Sequence, residues 1–195
     1  MNESKLPDGF KFVELTNEDY QKRWNEWGPK IFDENSTILD TRKVLSDEEK
    51  AQVRELNKNT SQLARINIGI FKGEDFCGWF SGDQYNYETF YMRNSAILPQ
   101  FRRQGLYRAL MSEILRRTKE MGFQIVLSRH TTTNNSIIIP KLKAGFVITA
   151  IEVSDRFGTL VHLSYFFNST RRRVMEFRAG DLKPDALLKD AMGIQ

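Results

Sequence analysis

The sequence predicts a mixed α/β domain of the α+β kind, with one central sheet flanked by helices. Two observations predict it. Hydrophobic periodicity switches along the chain between the helical and the strand period, in the order β, α, α, a β meander, then β-α-β-α-β-β. The chain of 195 residues is 40% hydrophobic and 28% charged, which suits one domain with a substantial core and fits neither disorder nor a membrane class.

Phe10 to Leu15 reads as a short strand. A helix from Asn17 to about Trp27 follows, capped by Thr16 and ended near Gly28-Pro29. Ser46 with Glu49 forms a capping box that opens a second helix towards Asn57. From Ala64 the period becomes two: Ile66, Ile68 and Ile70 alternate with Asn67 and Gly69, the mark of a half-buried strand. Lys72-Gly73-Glu74-Asp75 turns the chain into Phe76–Ser81, and a turn near Gly82-Asp83 leads to a long aromatic strand, Tyr87–Leu98. Gln104 to Met121 is amphipathic, with Leu106, Leu110, Ile114 and Leu115 on one face and Met111 and Thr118 beside them. Gly122 stops it. Phe123–Leu127 is a short apolar strand, a helix runs from about Ser136 to Ala144, and two strands follow, Phe146–Val153 and Leu160–Phe167. The tail from Arg171 holds a basic triplet and a terminal helix, Pro184–Met192.

Charge is uneven. Residues 1–60 carry 10 basic and 13 acidic side chains, and the remainder carries 19 basic and 12 acidic. A basic second part suits an anionic partner such as phosphate. The single cysteine, Cys77, lies in the apolar stretch Phe76-Cys77-Gly78-Trp79-Phe80 and reads as a small buried hydrophobe. One cysteine permits no intrachain disulfide, which fits a reducing, cytoplasmic setting. Acidic residues punctuate the first twenty positions, so a secretory leader is not expected, nor is a membrane span. His130 and His162 stand far apart, and no HExxH, CxxC or calcium loop occurs, so no metal is expected. The sequence also lacks a GxSxG elbow and a GxxxxGK[ST] loop, which excludes many hydrolases and nucleotide triphosphatases. Arg171-Arg172-Arg173 reads as a solvated strand end rather than a nucleic-acid patch.

The informative stretch is Ala96-Ile97-Leu98-Pro99-Gln100-Phe101-Arg102-Arg103-Gln104-Gly105-Leu106-Tyr107: a strand, a basic loop with one glycine, and a strong helix. A loop feeding a helix N-terminus exposes unpaired N–H groups, and the helix dipole adds about half a positive charge there. That arrangement binds phosphate oxygens. Gly105, without a Cβ, permits close backbone approach, and Arg102 and Arg103 add counter-charge.

This segment resembles motif A of the GCN5-related N-acetyltransferase (GNAT) superfamily, [Q/R]-x-x-G-x-[G/A] after a strand ending in V-x-P. Ile97-Leu98-Pro99 stands at the strand end and Arg102 to Tyr107 forms the loop, with Tyr107 where a small residue is usual. Asn135 followed by Leu142-Lys143-Ala144-Gly145-Phe146 resembles motif B. The resemblance covers roughly residues 64–165.

The resemblance implies an acyl-CoA N-acyltransferase fold: a mostly antiparallel sheet with one splayed parallel pair, here Tyr87–Leu98 and Phe123–Leu127, flanked by helices. It implies one domain over 1–195, with 1–63 on the acceptor side, 64–168 as the core and 169–195 as a tail. A bulge near Asn94-Ser95 would open the gap and leave Ile97 and Leu98 unpaired for the pantetheine of acetyl-CoA. Pyrophosphate would lie over Arg103, Gln104, Gly105, Leu106 and Tyr107, beside Arg102, and Asn135 would contact the cofactor arm or cap its helix. The reaction implied is direct acetyl transfer to an amine of a small molecule or peptide; the alternative is a non-catalytic acyl-CoA-binding or regulatory module. Base candidates are Tyr91, Glu88 and His130. Relatives place a tyrosine acid four residues before the motif B glycine, where this chain has Lys141, expected to be exposed. Trp24, Trp27 and Asp33-Glu34 would lie on the acceptor side, and the final apolar strand could pair or pack across a homodimer.

Overall fold

The computed structural model describes residues 5–32 and 39–194. Asp33-Glu34 therefore falls outside the described residues. Seven strands form one sheet in the order β1-β2-β3-β4-β5-β7-β6. They are β1 (Phe10–Glu14), β2 (Arg65–Lys72), β3 (Asp75–Gln84), β4 (Thr89–Ile97), β5 (Ile125–Thr131), β6 (Val147–Ser154) and β7 (Gly158–Phe166). Every neighbouring pair is antiparallel except β4 and β5, which are parallel. The helices are α1 (Asn17–Phe32), α2 (Thr41–Val44), α3 (Asp47–Lys58), α4 (Leu106–Glu120), α5 (Asn135–Lys143), α6 (Ser169–Arg178) and α7 (Ala186–Met192).

The expected capping box opens α3, with Ser46 accepting from the Glu49 N–H and Glu49 accepting from the Ser46 N–H. α1 departs from expectation by running through Pro29 to Phe32. Proline removes one helical hydrogen bond. Aromatic packing holds the turn in place: Trp24 stacks on Phe32, and both meet the edge of Trp79. Trp24 is thus a packing residue.

The sheet separates two apolar clusters. α4 lays Leu106, Leu110, Met111, Ile114 and Leu115 over Ile66, Ile68, Phe80, Phe90 and Val126. α1 covers the other face at Trp79, Ala96 and Leu98. β7 lies between β5 and β6, so both its edges are used and it cannot extend a sheet across a dimer. The edge strand is β6, whose Ile151 and Val153 are 73% and 85% exposed. The tail is not a solvated strand end: Arg171, Arg172 and Arg173 lie in α6, and each binds an acceptor within the chain, at Glu88, Glu176 and Asp185.

One irregularity shapes the centre. In β3, Ser81 faces Asn94 while its neighbour Gly82 faces Met92, so Arg93 is an extra residue in β4. This bulge stands one residue before the expected position. It reverses the alternation of side chains. Arg93 and Asn94 both turn to the α1 side, towards Asp83 and towards Trp79 and Tyr20. Asn94 Oδ1 accepts from Trp79 Nε1 at 2.7 Å, and its Nδ2 donates to the Tyr20 hydroxyl at 2.7 Å.

Asn94→Leu would leave a buried indole N–H without an acceptor and take one of the partners of the Tyr20 phenol. We expect it to destabilise the fold by about 2 kcal/mol or more, lowering the urea midpoint with an unchanged slope.

Candidate active site

β4 and β5 pair over three positions only: Thr89 with Ile125, Phe90 with Val126 and Tyr91 with Leu127. Beyond Tyr91 they part. β4 continues along β3 as far as Ile97, and β5 continues along β7 as far as Thr131. The bulge at Arg93 sits just past the last pair and increases the local twist, which turns β4 away. The outcome is a wedge-shaped gap between two parallel strands.

The open end of β4 leads into the basic loop. A short 3-10 turn, Pro99–Phe101, is followed by Arg103 at φ 60° and Gly105 at φ 84°. Gly105 has nothing nearer its missing Cβ than Pro7 at 3.9 Å, but its left-handed conformation disfavours any side chain. Arg103 holds a similar conformation without that freedom, a local strain of the kind found at ligand clamps. Among the described residues, the amides of Arg103, Gln104, Gly105, Leu106 and Tyr107 donate to no acceptor, whereas the Arg102 and Arg108 amides on either side are paired. Five consecutive free N–H groups meet the positive end of a 15-residue helix. Tyr107 leaves this cradle open, because its ring packs into the core beside α4 and its hydroxyl turns to Ser95. Burial raises its phenol pKa.

Two expectations along β4 are corrected. Leu98 is not unpaired: its N–H donates to the Cys77 carbonyl at 2.9 Å, on the β3 side. The Ile97 carbonyl, turned the other way by the pleat, accepts from Arg102 Nε at 3.0 Å. Arg102 therefore closes the strand end as well as supplying charge. Asn135 is the first residue of α5, with the cap position at Asn134, so it does not cap the helix and its side chain is exposed.

At the closed end of the gap the two faces differ. On the α5 side lies Lys141, which is 1% exposed rather than solvated. Its Nζ is 2.9 Å from Met92 Sδ and 4.6 Å from the centre of the Phe146 ring. No carboxylate pairs with it among the described residues. Burial lowers its pKa to about 7. His130 shares this side, with Nε2 3.2 Å from Ser128 Oγ. Burial first, and the Lys141 charge second, push its pKa down to about 3, so it stays neutral and is a poor base.

On the α1 side lies Tyr91. Arg129 Nε donates to its hydroxyl at 3.0 Å, and the guanidinium groups of Arg93 and Arg129 lie over its ring. Arg129 also binds Glu152 at 3.0 Å, and His162 Nε2 is 2.5 Å from the same carboxylate. Arg129 and then His162 hold the Glu152 carboxyl below its ordinary pKa. The Leu39 N–H binds the Arg156 carbonyl, which brings the chain ahead of α2 to the β6–β7 turn at the border of this face. Glu88 stands apart: Arg171 clamps it with two hydrogen bonds at the paired end of β4, before the gap begins. A separate cleft of about 380 Å³ lies beside α1, between Arg23, Trp27, Phe76 and Phe101, and does not coincide with the gap.

Comparison with known proteins decides the family. The acetyltransferase (GNAT) family profile matches residues 11–146. The chain belongs to the GNAT acetyltransferase family. No curated protein matches the sequence. Among solved structures, the GNAT chain is similar to the ribosomal-protein-S18-alanine N-acetyltransferase of Escherichia coli, at 14% identity and a TM-score of 0.58, covering 82% of this chain and 94% of that one. It is also similar to a GNAT acetyltransferase of Elizabethkingia anophelis with acetyl-CoA bound, at 13% identity and a TM-score of 0.56, covering 83% and 100%. A GNAT acetyltransferase of Streptococcus pneumoniae gives 18% identity and a TM-score of 0.58, covering 81% and 99%. At these identities the likeness is one of fold.

Sequence reasoning missed three residues of this site, Arg129, Glu152 and His162. They come from three strands, and only the register Arg129–His162–Ala150 brings them together. A period-two reading gives the face of each residue but not its cross-strand neighbour.

The buried Lys141 makes stability depend on pH. Its folded pKa lies below the unfolded one, so the unfolded state holds more protons between about pH 7 and 10.5, and stability rises with pH through that window. We expect Lys141→Met to remove this rise and to be more stable than the parent at pH 6 by several kcal/mol. Urea denaturation at a series of pH values measures both.

Proposed function

We propose that the protein is an N-acetyltransferase that moves an acetyl group from acetyl-CoA directly to a primary amine of a small molecule or peptide. The observation that carries this reading is the row of five free amides, Arg103 to Tyr107, at the mouth of the gap between β4 and β5. A diphosphate fits such a row through several short N–H···O bonds and the helix dipole. Arg103 is exposed beside it, and Arg102 needs only to swing from the Ile97 carbonyl to join it.

Beyond the diphosphate, the gap suits an extended arm bearing amides. The gap-facing backbone of β4 as far as Ile97 would bond it as a neighbouring strand does. Asn135 at the opposite lip can contact the same arm. From Leu98 back to Met92 is six residues, about 20 Å of strand, so an arm laid along it brings its far end to the apex beside Tyr91 and Met92.

The amine would enter from the α1 side, where Tyr91, Arg129, Glu152 and His162 line the approach. Of the three base candidates we favour Tyr91, whose hydroxyl accepts from Arg129 Nε at 3.0 Å. Glu88, tied to Arg171, and His130, held neutral, are set aside as bases. Deprotonation of the ammonium then proceeds through water at the Tyr91–Arg129 pair.

Acetyl-CoA at about one hundred times its Kd should stabilise the native state by about 2.7 kcal/mol, a rise of roughly 5–10 °C in melting temperature for a chain of this size. Gly105→Glu should abolish the rise by placing a carboxylate in the cradle. No shift with any acyl-CoA would overturn the reading. Stabilisation without thiol release on a panel of amines would favour a non-catalytic acyl-CoA-binding module instead.

A further inference from the structure

We propose that the acceptor is an amino carboxylate, a small molecule whose amine stands a few bonds from a carboxylate, and that Arg93 and Arg129 hold that carboxylate; this rests on the acetyl-CoA reading above and narrows its acceptor.

Two guanidinium groups stand over one ring. The guanidinium carbon of Arg93 lies 4.8 Å from the centre of the Tyr91 ring, and that of Arg129 lies 4.9 Å from it. Like charges gathered on a common ring repel, and the ring offsets only part of that. The carboxylates nearby are shared. Asp83 accepts from Arg93 Nε at 2.8 Å and from Arg65 Nη2 at 3.4 Å. Glu152 accepts from Arg129 Nη1 at 3.0 Å and meets His162 Nε2 at 2.5 Å. The connected set therefore holds three guanidinium groups against two carboxylates, an excess of positive charge before His162 is counted.

The hydrogen bonds point the same way. A guanidinium carries N–H donors on all three of its nitrogens and has no acceptor of its own. Among the described residues, Arg93 donates through Nε only, so neither of its terminal nitrogens has a partner. Arg129 donates through Nε to Tyr91 and through Nη1 to Glu152, and its Nη2 has no partner among them. Both side chains reach solvent, at 44% exposure for Arg93 and 26% for Arg129. A planar fork of this kind matches a carboxylate through parallel N–H···O bonds.

The set stands where the amine is delivered. Arg93 follows Met92, the first residue of β4 past its last pair with β5, and Arg129 Nε is 3.0 Å from the Tyr91 hydroxyl. An amine placed at that hydroxyl has a guanidinium beside it, so a carboxylate a few bonds away reaches the unused donors. The same excess charge acts on the ammonium. Neighbouring cations favour the neutral amine, which is the form that attacks. The carboxylate thus anchors the molecule while its amine is readied, whereas a plain alkylamine or a polyamine meets repulsion with no anchor.

The test pairs each acid with its own carboxamide. The protein amino acids, β-alanine and γ-aminobutyrate, and the amide of each, are offered with acetyl-CoA, and thiol release is followed. We expect the preferred acid to exceed its amide by about tenfold or more in kcat/KM. In Arg93→Gln that ratio should fall towards one through a higher KM for the acid, a readout that a general loss of folded protein would not move. Should Arg93→Gln fail to fold, the ratio in the parent should shrink severalfold as ionic strength rises from about 0.05 to 0.5 M. Equal rates for acid and amide throughout the panel, a preference for spermidine, or a preference for phosphoethanolamine over every carboxylate overturns the proposal. If no amine is turned over, the same pairs are added to the CoA complex in thermal melts: acids should raise the melting temperature where their amides do not, and equal responses or none overturn the proposal. If neither acetyl-CoA nor CoA raises the melting temperature of the parent, the acetyl-CoA reading itself fails, which is a different result from cofactor binding without a preference for the acid.

Discussion

The site depends on one extra residue. Arg93 is extra where β4 leaves β5, and a strand without it would keep its alternation along β3. The insertion divides β4 into a half bound to β5 and a half bound to β3 alone. Asn94 then fixes the division. It accepts a hydrogen bond from an indole N–H on β3 and donates one to a phenol on α1, so straightening the strand would break both within an apolar cluster. Breaking buried hydrogen bonds without water to replace them is costly. The gap is thus a property of the core rather than of a loop.

The same division sorts the charges. Facing α5, a lysine and a histidine lie in a dry environment that disfavours charge on either. Facing α1, Arg93, Arg129, Asp83, Glu152 and His162 compensate one another around Tyr91. An enclosed, unpaired amine, by contrast, is driven towards neutrality. Groups of contrasting basicity therefore stand on either side of one strand pair, an arrangement that suits proton transfer in two directions.

Much of this was legible in the sequence. The meander, the α4 stripe and the loop at Arg102–Gly105 follow from period and glycine placement, and the resemblance to the family pointed to the splayed pair. What escaped has physical causes. α1 passes Pro29 because tertiary aromatic contacts outweigh one lost hydrogen bond. A lysine reads as a surface residue in any composition argument, yet α5 turns Lys141 inward because Ile138, one turn earlier on the same face, is also buried. Arg171–Arg173 look like a free basic patch until α6 sets them beside Glu88, Glu176 and Asp185. The bulge itself, a one-residue insertion in a regular aromatic run, leaves no local signature beyond the two polar residues Arg93 and Asn94.

The contact from Arg102 to the Ile97 carbonyl bears on turnover. A strand end awaiting a visitor would ordinarily be hydrated, and binding would have to strip that water. Here a tethered side chain occupies the acceptor, so on the reading proposed above an incoming amide would exchange with it, one donor for another. The swap is close to neutral in free energy, because hydrogen bonds are traded rather than created. On the acetyl-CoA reading proposed above, grip would then come mainly from the diphosphate, and the guanidinium folding back onto the strand end would help to expel the spent carrier.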